Sequence, residues 1–529
     1  MREQQKPALD IPTRTAPAIQ LEAPARPVLK PSASARFLLK GFRVTGNTVF
    51  AESELLVLVR DYAGKDASFA DLDQATARIS RYYRERGYLV ARAYLPAQDI
   101  KDGMVEIAVI EGRFGKVNID NRSRVRDGVA RGYTNAFPGM AVTEAGIERK
   151  MLLLNDLPGV GDGRATLSPG ANVGESDLSV ELTPGSLATG SVEFDNFGNR
   201  FTGANRLTGK LNVLSPFGLG DLFSAQVTKG FNGLDYGRLA YQLPVGGDGF
   251  KLGGAYSRTQ YRLGKLFSAL DASGESDTVS LNVSYPFIRT RNINLYGQAA
   301  YELRDFQDRV ASTATVTDKS TRAATLSFSG DARDSLLGGG ISVFSVGYGS
   351  GRANIETPSA RAIDDVTART HGHFGKWNVN FLRLQRLGER LSAYVSFAGQ
   401  KAGTNLDSSE KFSLGGANGV RAYPSGEASG DSGYLATVEL RYTFSMAAIP
   451  GVVQPFVFID TGGVTINENS FVAGANSRHL SAGGFGLSWV KAGDFQVKLT
   501  LASRLGSEPS LSSDSDRHTR GWVQAIKYF

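Results

Sequence analysis

The chain has no cysteine, and only 3 tryptophans, 4 histidines and 5 methionines in 529 residues. Without cysteine there is no disulfide framework, no thiolate metal ligand and no thiol chemistry. Of the histidines, only His371 and His373 are near neighbours. They fall at a predicted loop-to-strand junction with no carboxylate placed beside them, so no metal centre is expected. No apolar run reaches about 18 residues, which excludes a transmembrane helix. No dense Lys/Arg block exists either, so the net charge of +7 is read as spread over loops and interior walls, not as a nucleic-acid footprint. Met1–Gln5 leads into no apolar segment and is not a signal peptide. For a protein beyond the inner membrane, the numbering is therefore expected to begin at the mature form.

Catalytic patterns are missing too. No Ser/His/Asp order and no paired carboxylates stand in a cleft-like context. Gly415-Gly416-Ala417-Asn418-Gly419 lacks the strand–loop–helix setting that phosphate binding requires. The expectation is a protein that is not an enzyme and has no cofactor.

What the chain does have is 62 glycines, 29 phenylalanines and 19 tyrosines, a composition suited to many short strands. Its mean hydropathy of −0.19 fits a soluble protein. It fits a transmembrane β-barrel equally, because there only every second residue faces lipid.

Residues 1–35 are rich in Pro and Ala and read as a flexible tether, with a short helix considered near Arg2–Leu9. From Phe37 the pattern changes to strand Phe37–Val44, helices Glu52–Tyr62 and Asp71–Arg86, and strands Leu89–Leu95 and Met104–Glu111. Leu72, Ala75, Ile79 and Tyr82/Tyr83 form the apolar stripe of the second helix. A similar β-α-α-β-β unit follows over 113–186, with Thr143 as an expected helix N-cap. From about Gly185 helical periodicity ends. Val279, Leu281, Val283 and Tyr285 alternate with Ser280, Asn282 and Ser284. Phe495, Val497, Leu499 and Leu501 alternate with Gln496, Lys498 and Thr500. About sixteen such segments fill 187–529, and the chain ends on a strand closing with Phe529. Lys527 is unexpected there if its parity faces lipid.

One stretch organises the rest. Gly415–Gly433 is a Gly/Ser-rich loop carrying Val420-Arg421-Ala422-Tyr423 between two strand-like segments. Downstream, Phe456, Phe458, Asp460 and Gly462 share one strand face, and Val457, Ile459 and Thr461 the other. An aspartate amid apolar neighbours requires a partner, and Arg421 is the best candidate. From these two residues alone, a solvated loop arginine and a turn aspartate near Gly462 are the simpler account, and it is the rest of the chain that favours the pair. Glu439 and Arg441 share the polar parity of their strand and could extend the network.

Two β-α-α-β-β units, a barrel, the Val-Arg-Ala-aromatic loop and the Phe458-x-Asp460-x-Gly462 strand occur in that order. Together they resemble the outer-membrane transporters of two-partner secretion (TpsB, FhaC/ShlB/HecB type), in the POTRA-barrel superfamily that also holds BamA. The resemblance implies a transmembrane β-barrel of about 16 antiparallel strands (187–529), preceded by POTRA 1 (36–112) and POTRA 2 (113–186). Loop 403–433 would fold into the lumen and set Arg421 against Asp460. Ala422 replaces the family's glycine, which matters only where a positive φ is needed.

The function implied is a monomeric outer-membrane pore of a Gram-negative bacterium, with its POTRA domains in the periplasm. It would bind a secreted exoprotein partner, a β-helical adhesin, haemolysin or contact-dependent toxin, and move it to the surface without nucleotide. The edge strand Leu89, Val90, Ala91, Arg92, Ala93, Tyr94, Leu95 would accept cargo by strand addition. Outer-membrane lipid is the other expected partner, and nucleic acid is not one. The alternative functions are a BamA/TamA-like insertase and a passive porin with adaptor domains. The paired POTRA units and the large fold-back loop argue against the porin.

Overall fold

The computed structural model describes residues 19–21, 36–100, 102–445, 449–512 and 516–529. The helix considered near Arg2–Leu9 and most of the 1–35 tether lie outside the described residues. Ile19–Leu21, within that tether, is a strand.

In the first unit, Gly41–Thr45 pairs in parallel with Met104–Ile110, which pairs antiparallel with Arg92–Tyr94. A second small ladder, Arg36–Leu39 with Lys65–Ser68, was not anticipated. Helix Phe69–Glu85 begins in a capping box. The Ser68 hydroxyl accepts from the Asp71 N–H while the Asp71 carboxylate accepts from the Ser68 N–H. Its face of Leu72, Ala75, Ile79 and Tyr83 is buried against Val44, Val105 and Ile107. The first expected helix is shorter, Glu52–Val57 followed by a single 3₁₀ turn Arg60–Tyr62. Val57 and Val59 are poor helix formers at that break.

The second unit has strands Arg113–Asn121, Val160–Pro169 and Glu175–Pro184, with helices Asp127–Gly132 and Glu144–Asn155. Thr143 caps the longer helix, its hydroxyl accepting from Gly146 N–H at 3.2 Å. Ile19–Leu21 adds in parallel to the free edge of Val160–Pro169, with Gln20 opposite Thr166.

Sixteen strands, from Ala188–Asp195 to Thr519–Tyr528, close into one antiparallel barrel. At the seam Ser191–Asp195 pairs with Gln524–Tyr528, and Gly190 and Phe529 exchange backbone hydrogen bonds. Burial is inverted relative to a soluble sandwich. Leu281, Val457 and Ile459 are 59%, 55% and 58% exposed on the outer face, while Arg304, Glu439 and Asp460 are buried inside. Apolar side chains left outside a closed barrel require lipid. Several strands exceed the expected ten or so residues. Ala272–Arg289, Ile293–Val310 and Thr315–Asp334 run 18, 18 and 20 residues, well past the ~9–11 that cross a bilayer. Lys527 does face outward, opposite Val192 and Phe495. Its ammonium reaches the Asp494 carboxylate at the adjoining turn, which keeps the charge at the rim.

The second unit is fastened to one end of the barrel. Arg289 is buried, and its guanidinium donates from Nε and Nη2 to both Asp156 oxygens at 2.6 and 2.8 Å. Lys150 donates to Gly247 O at 2.9 Å, and Arg149 to Pro286 O at 2.8 Å.

Candidate functional site

Between strands Leu391–Ala402 and Ser432–Tyr442 the chain folds back into the barrel. Phe412–Ser413 pairs with Ser429–Gly430 and zips the base of the loop. Beyond this, Val420 N–H donates to Leu414 O at 2.7 Å and turns the chain sharply. Gly419 is needed at this turn, because a Cβ there would lie 1.9 Å from Leu414 O. Leu414, Val420, Ala422 and Tyr423 are buried together with Phe456 and Phe458 of the wall. Ala422 is not among the residues with positive φ, so alanine fits without strain where the resemblance has glycine.

The packing delivers Arg421 to the wall. Its Nε and Nη2 donate to the two Asp460 oxygens at 2.8 Å each, and its backbone N–H adds a third bond at 3.2 Å. Nη1 donates to Glu439 Oε1 at 2.8 Å. The guanidinium carbon lies 3.3 Å from the centroid of the Phe458 ring, a cation–π contact in a desolvated setting. Thr437, directly across the ladder from Asp460, donates to Asp460 Oδ1 at 2.9 Å. Glu439 also holds Arg441, at 2.9 Å from Nε and 2.5 Å from Nη2, and Arg441 lies over the Tyr394 ring. The anticipated Arg421, Asp460, Glu439 and Arg441 thus form one network, with Arg421 2% exposed and Asp460 fully buried. Gly462 completes the strand motif for a steric reason. A Cβ there would meet Leu414 Cδ2 and Tyr434 O at 2.7 Å, which would push the loop off the wall.

Desolvating two carboxylates and an arginine offsets much of their attraction, so the intact network adds little net stability. Removing Arg421 takes from buried Asp460 the cation that it pairs with, at about 3–5 kcal/mol. The network therefore fixes where the loop lies more than it strengthens the fold.

Three further contacts to the loop escaped the sequence reading. Glu410, 3% exposed, pairs with Arg304 at 2.5 Å and Lys376 at 2.8 Å. Asp431 accepts from Leu406 N–H, Glu468 N–H and Lys411 Nζ at 3.1, 2.8 and 2.8 Å. Glu427 is held by Arg478, by Ser510 Oγ at 3.1 Å and by Ser512 N–H at 2.9 Å. Arg304 carried a signal, as a charge on the lumenal parity of its strand. Nothing in the sequence pointed it to Glu410, 106 residues away.

The expected cargo-accepting edge is corrected. The strand is Arg92–Tyr94, three residues long, not Leu89–Leu95. It is an edge, but Ala93 N–H donates to Ser80 Oγ at 2.9 Å, and Ser80 Oγ lies 3.4 Å from Ala93 O. Helix Phe69–Glu85 thus occupies the groups that an added strand would use. Leu89 and Val90 pack instead against the core of the second unit. Ala91 is buried and Leu95 packs against the first core.

The comparisons agree with this architecture. Residues 174–488 match the family model described as haemolysin secretion/activation protein ShlB/FhaC/HecB, and 37–112 match the ShlB-type POTRA domain. The heme/hemopexin transporter protein HuxB of Haemophilus influenzae is 28% identical over 502 residues, covering 93% of this chain and 87% of that one. The outer membrane transporter CdiB of Dickeya dadantii is 26% identical over 442 residues, covering 80% and 76%. In fold, CdiB from Escherichia coli superposes with a TM-score of 0.76 at 21% identity, covering 96% of this chain and 93% of that one. BamA from Haemophilus ducreyi lacking POTRA domains 1–3 superposes at 0.54 and 15% identity, covering 93% and 100%. The chain belongs to the ShlB/FhaC/HecB haemolysin secretion/activation family, as an outer-membrane two-partner secretion transporter with periplasmic POTRA domains.

Proposed function

We propose that this transporter works as a single chain in lipid, and that its cargo is a large β-helical exoprotein of the adhesin, haemolysin or contact-dependent toxin kind. The cargo enters from the periplasm and passes outward as an extended chain. No nucleotide is used, and folding at the surface makes the passage one-way. The observation that carries the reading is the buried Arg421–Asp460 pair, which holds a long loop inside a closed barrel. Such a loop blocks passive flow yet can shift as a unit, because its hold is a few polar contacts and not a covalent tie. The seam is laddered from Gly190 to Asp195, which favours a pore over an insertase that would open there.

Cargo capture is better served by the second POTRA unit than by Arg92–Tyr94. Strand Val160–Pro169 has an edge that already holds an extended segment, this chain's own Ile19–Leu21. Strand addition there supplies main-chain hydrogen bonds without demanding a cargo sequence. The test is co-expression with a large β-helical exoprotein from the same genome, in a Gram-negative host lacking such transporters. Surface or medium cargo that depends on this chain supports the reading. Cargo retained in the periplasm despite an assembled barrel refutes it.

A further inference from the structure

At the barrel end opposite the POTRA units, a cavity of about 330 Å³ is lined by Arg200, Lys265, Arg517 and Arg520, with Asn205 and Asn232 between them. Four cations and two amides meet there, and no carboxylate is part of the lining. Two acids nearby, among the described residues, are already engaged. Asp516 pairs with Arg504, and Glu427 is held by Arg478 and the Ser510–Ser512 segment. Arg520 Nε and Nη2 are buried and have no hydrogen-bond partner, although buried guanidinium donors are nearly always satisfied. Lys265 has φ of +61°, a left-handed backbone that lysine seldom adopts. The elements that meet here are the loop after the first barrel strand, the loop carrying Lys265, and the entry of the last strand.

We propose that this cavity is a binding site for a phosphate group. A tetrahedral dianion offers acceptor oxygens for the open Arg520 donors, in a lining whose charged side chains are all cationic. A single phosphate would tie the loop after the first strand to the last strand. It would do so beside Asn199, which donates to Ser425 O of the inward loop at 3.2 Å, and Trp522, which donates to Arg421 O. The phosphate comes either from solution or from a phosphorylated lipid headgroup at the outer rim.

The test is isothermal titration of the full-length protein in detergent with inorganic phosphate, in chloride buffer at fixed ionic strength. The parent is expected to bind one phosphate saturably, and Arg520→Gln to bind about tenfold or more weakly, the loss of roughly one charge-assisted contact. Heat-modifiable migration confirms that the variant barrel is assembled. Should Arg520→Gln not assemble, Arg517→Gln decides, with the same weakening expected. The titration is repeated in nanodiscs of phosphatidylcholine with and without phosphatidic acid. Loss of phosphate binding only with phosphatidic acid identifies the headgroup as occupant, and unchanged binding identifies soluble phosphate. A parent that binds no phosphate in either medium, or a variant as tight as the parent, overturns the proposal.

Discussion

The Trp522 indole N–H donates to the backbone carbonyl of Arg421 at 2.7 Å. Trp522 lies on the last strand, two residues from where that strand's ladder against the first ends at Asp195–Gln524, and is itself 5% exposed. The loop's anchor residue is therefore held from two walls, by its side chain on Asp460 and Glu439 and by its carbonyl on Trp522.

Trp522→Phe keeps most of the ring and removes the donor. It leaves the buried Arg421 carbonyl unpaired, at about 1–3 kcal/mol. The expected outcome is an assembled barrel with secretion reduced severalfold and faster protease cleavage in loop 403–431. Cleavage and secretion equal to the parent would show that the second wall does not matter.

Glu410→Gln removes the charge that Arg304 and Lys376 share. Arg304 keeps Glu302, but both buried cations lose their ion pair with Glu410, and breaking a buried pair costs on the order of 3–5 kcal/mol. The base of the loop should loosen, and single-channel conductance in a planar bilayer should rise and fluctuate. Conductance identical to the parent would place the loop's hold entirely at Arg421.

The absence of cysteine permits a clean test of the POTRA 2 edge. Gln20→Cys with Thr166→Cys joins register partners of the Ile19–Leu21 ladder, within the Cα spacing a disulfide spans. Oxidation should lower secretion and reductant should restore it, if cargo uses the edge that the tail occupies. Equal secretion in both states removes this edge from the capture step.

Glu111 supplies a pH dependence in POTRA 1. Burial alone would raise its pKa, but the Thr48 hydroxyl, the Thr48 and Val49 N–H groups and the Tyr83 hydroxyl all donate to it and hold it below the ordinary 4.5. A depressed carboxylate stabilises the fold above its unfolded value, and that contribution is lost as pH falls through the folded value. Amide exchange at Thr48 and Val49 should therefore accelerate below pH 4.5. Glu111→Gln should show fast exchange at neutral pH and a flatter acid profile. An acid profile unchanged by the substitution would assign the effect to another group.

Much of this architecture was legible in the sequence because its signals are local. Period-two alternation marked the strands, and the stripe at Leu72, Ala75 and Ile79 marked the POTRA helix. Arg421 and Asp460 could be paired because an aspartate among phenylalanines requires a cation, and because the family resemblance placed a loop arginine beside it. Glu410 with Arg304, and Trp522 with the Arg421 carbonyl, join residues more than 100 apart through loop closure that no local pattern encodes. The edge at Leu89–Leu95 was misjudged for a similar reason. Alternation indicates a strand, but not that Ser80 on the neighbouring helix covers its outward N–H.

The anchor itself sets the strongest expectation. Because Glu439 also contacts Arg421, exchanging the charges as Arg421→Asp with Asp460→Arg would set a new carboxylate against Glu439, and rescue is not expected. Arg421→Lys should rescue only in part, since lysine cannot engage Asp460 through two parallel bonds while reaching Glu439. The most direct measurement is secretion of the partner exoprotein by Arg421→Ala in cells where heat-modifiable migration shows the barrel assembled in the outer membrane. Losing an anchor of about 3–5 kcal/mol lowers the docked-loop population more than about a hundredfold, so secretion should fall at least tenfold while barrel levels hold. Secretion at the parental rate from that assembled barrel would contradict the account.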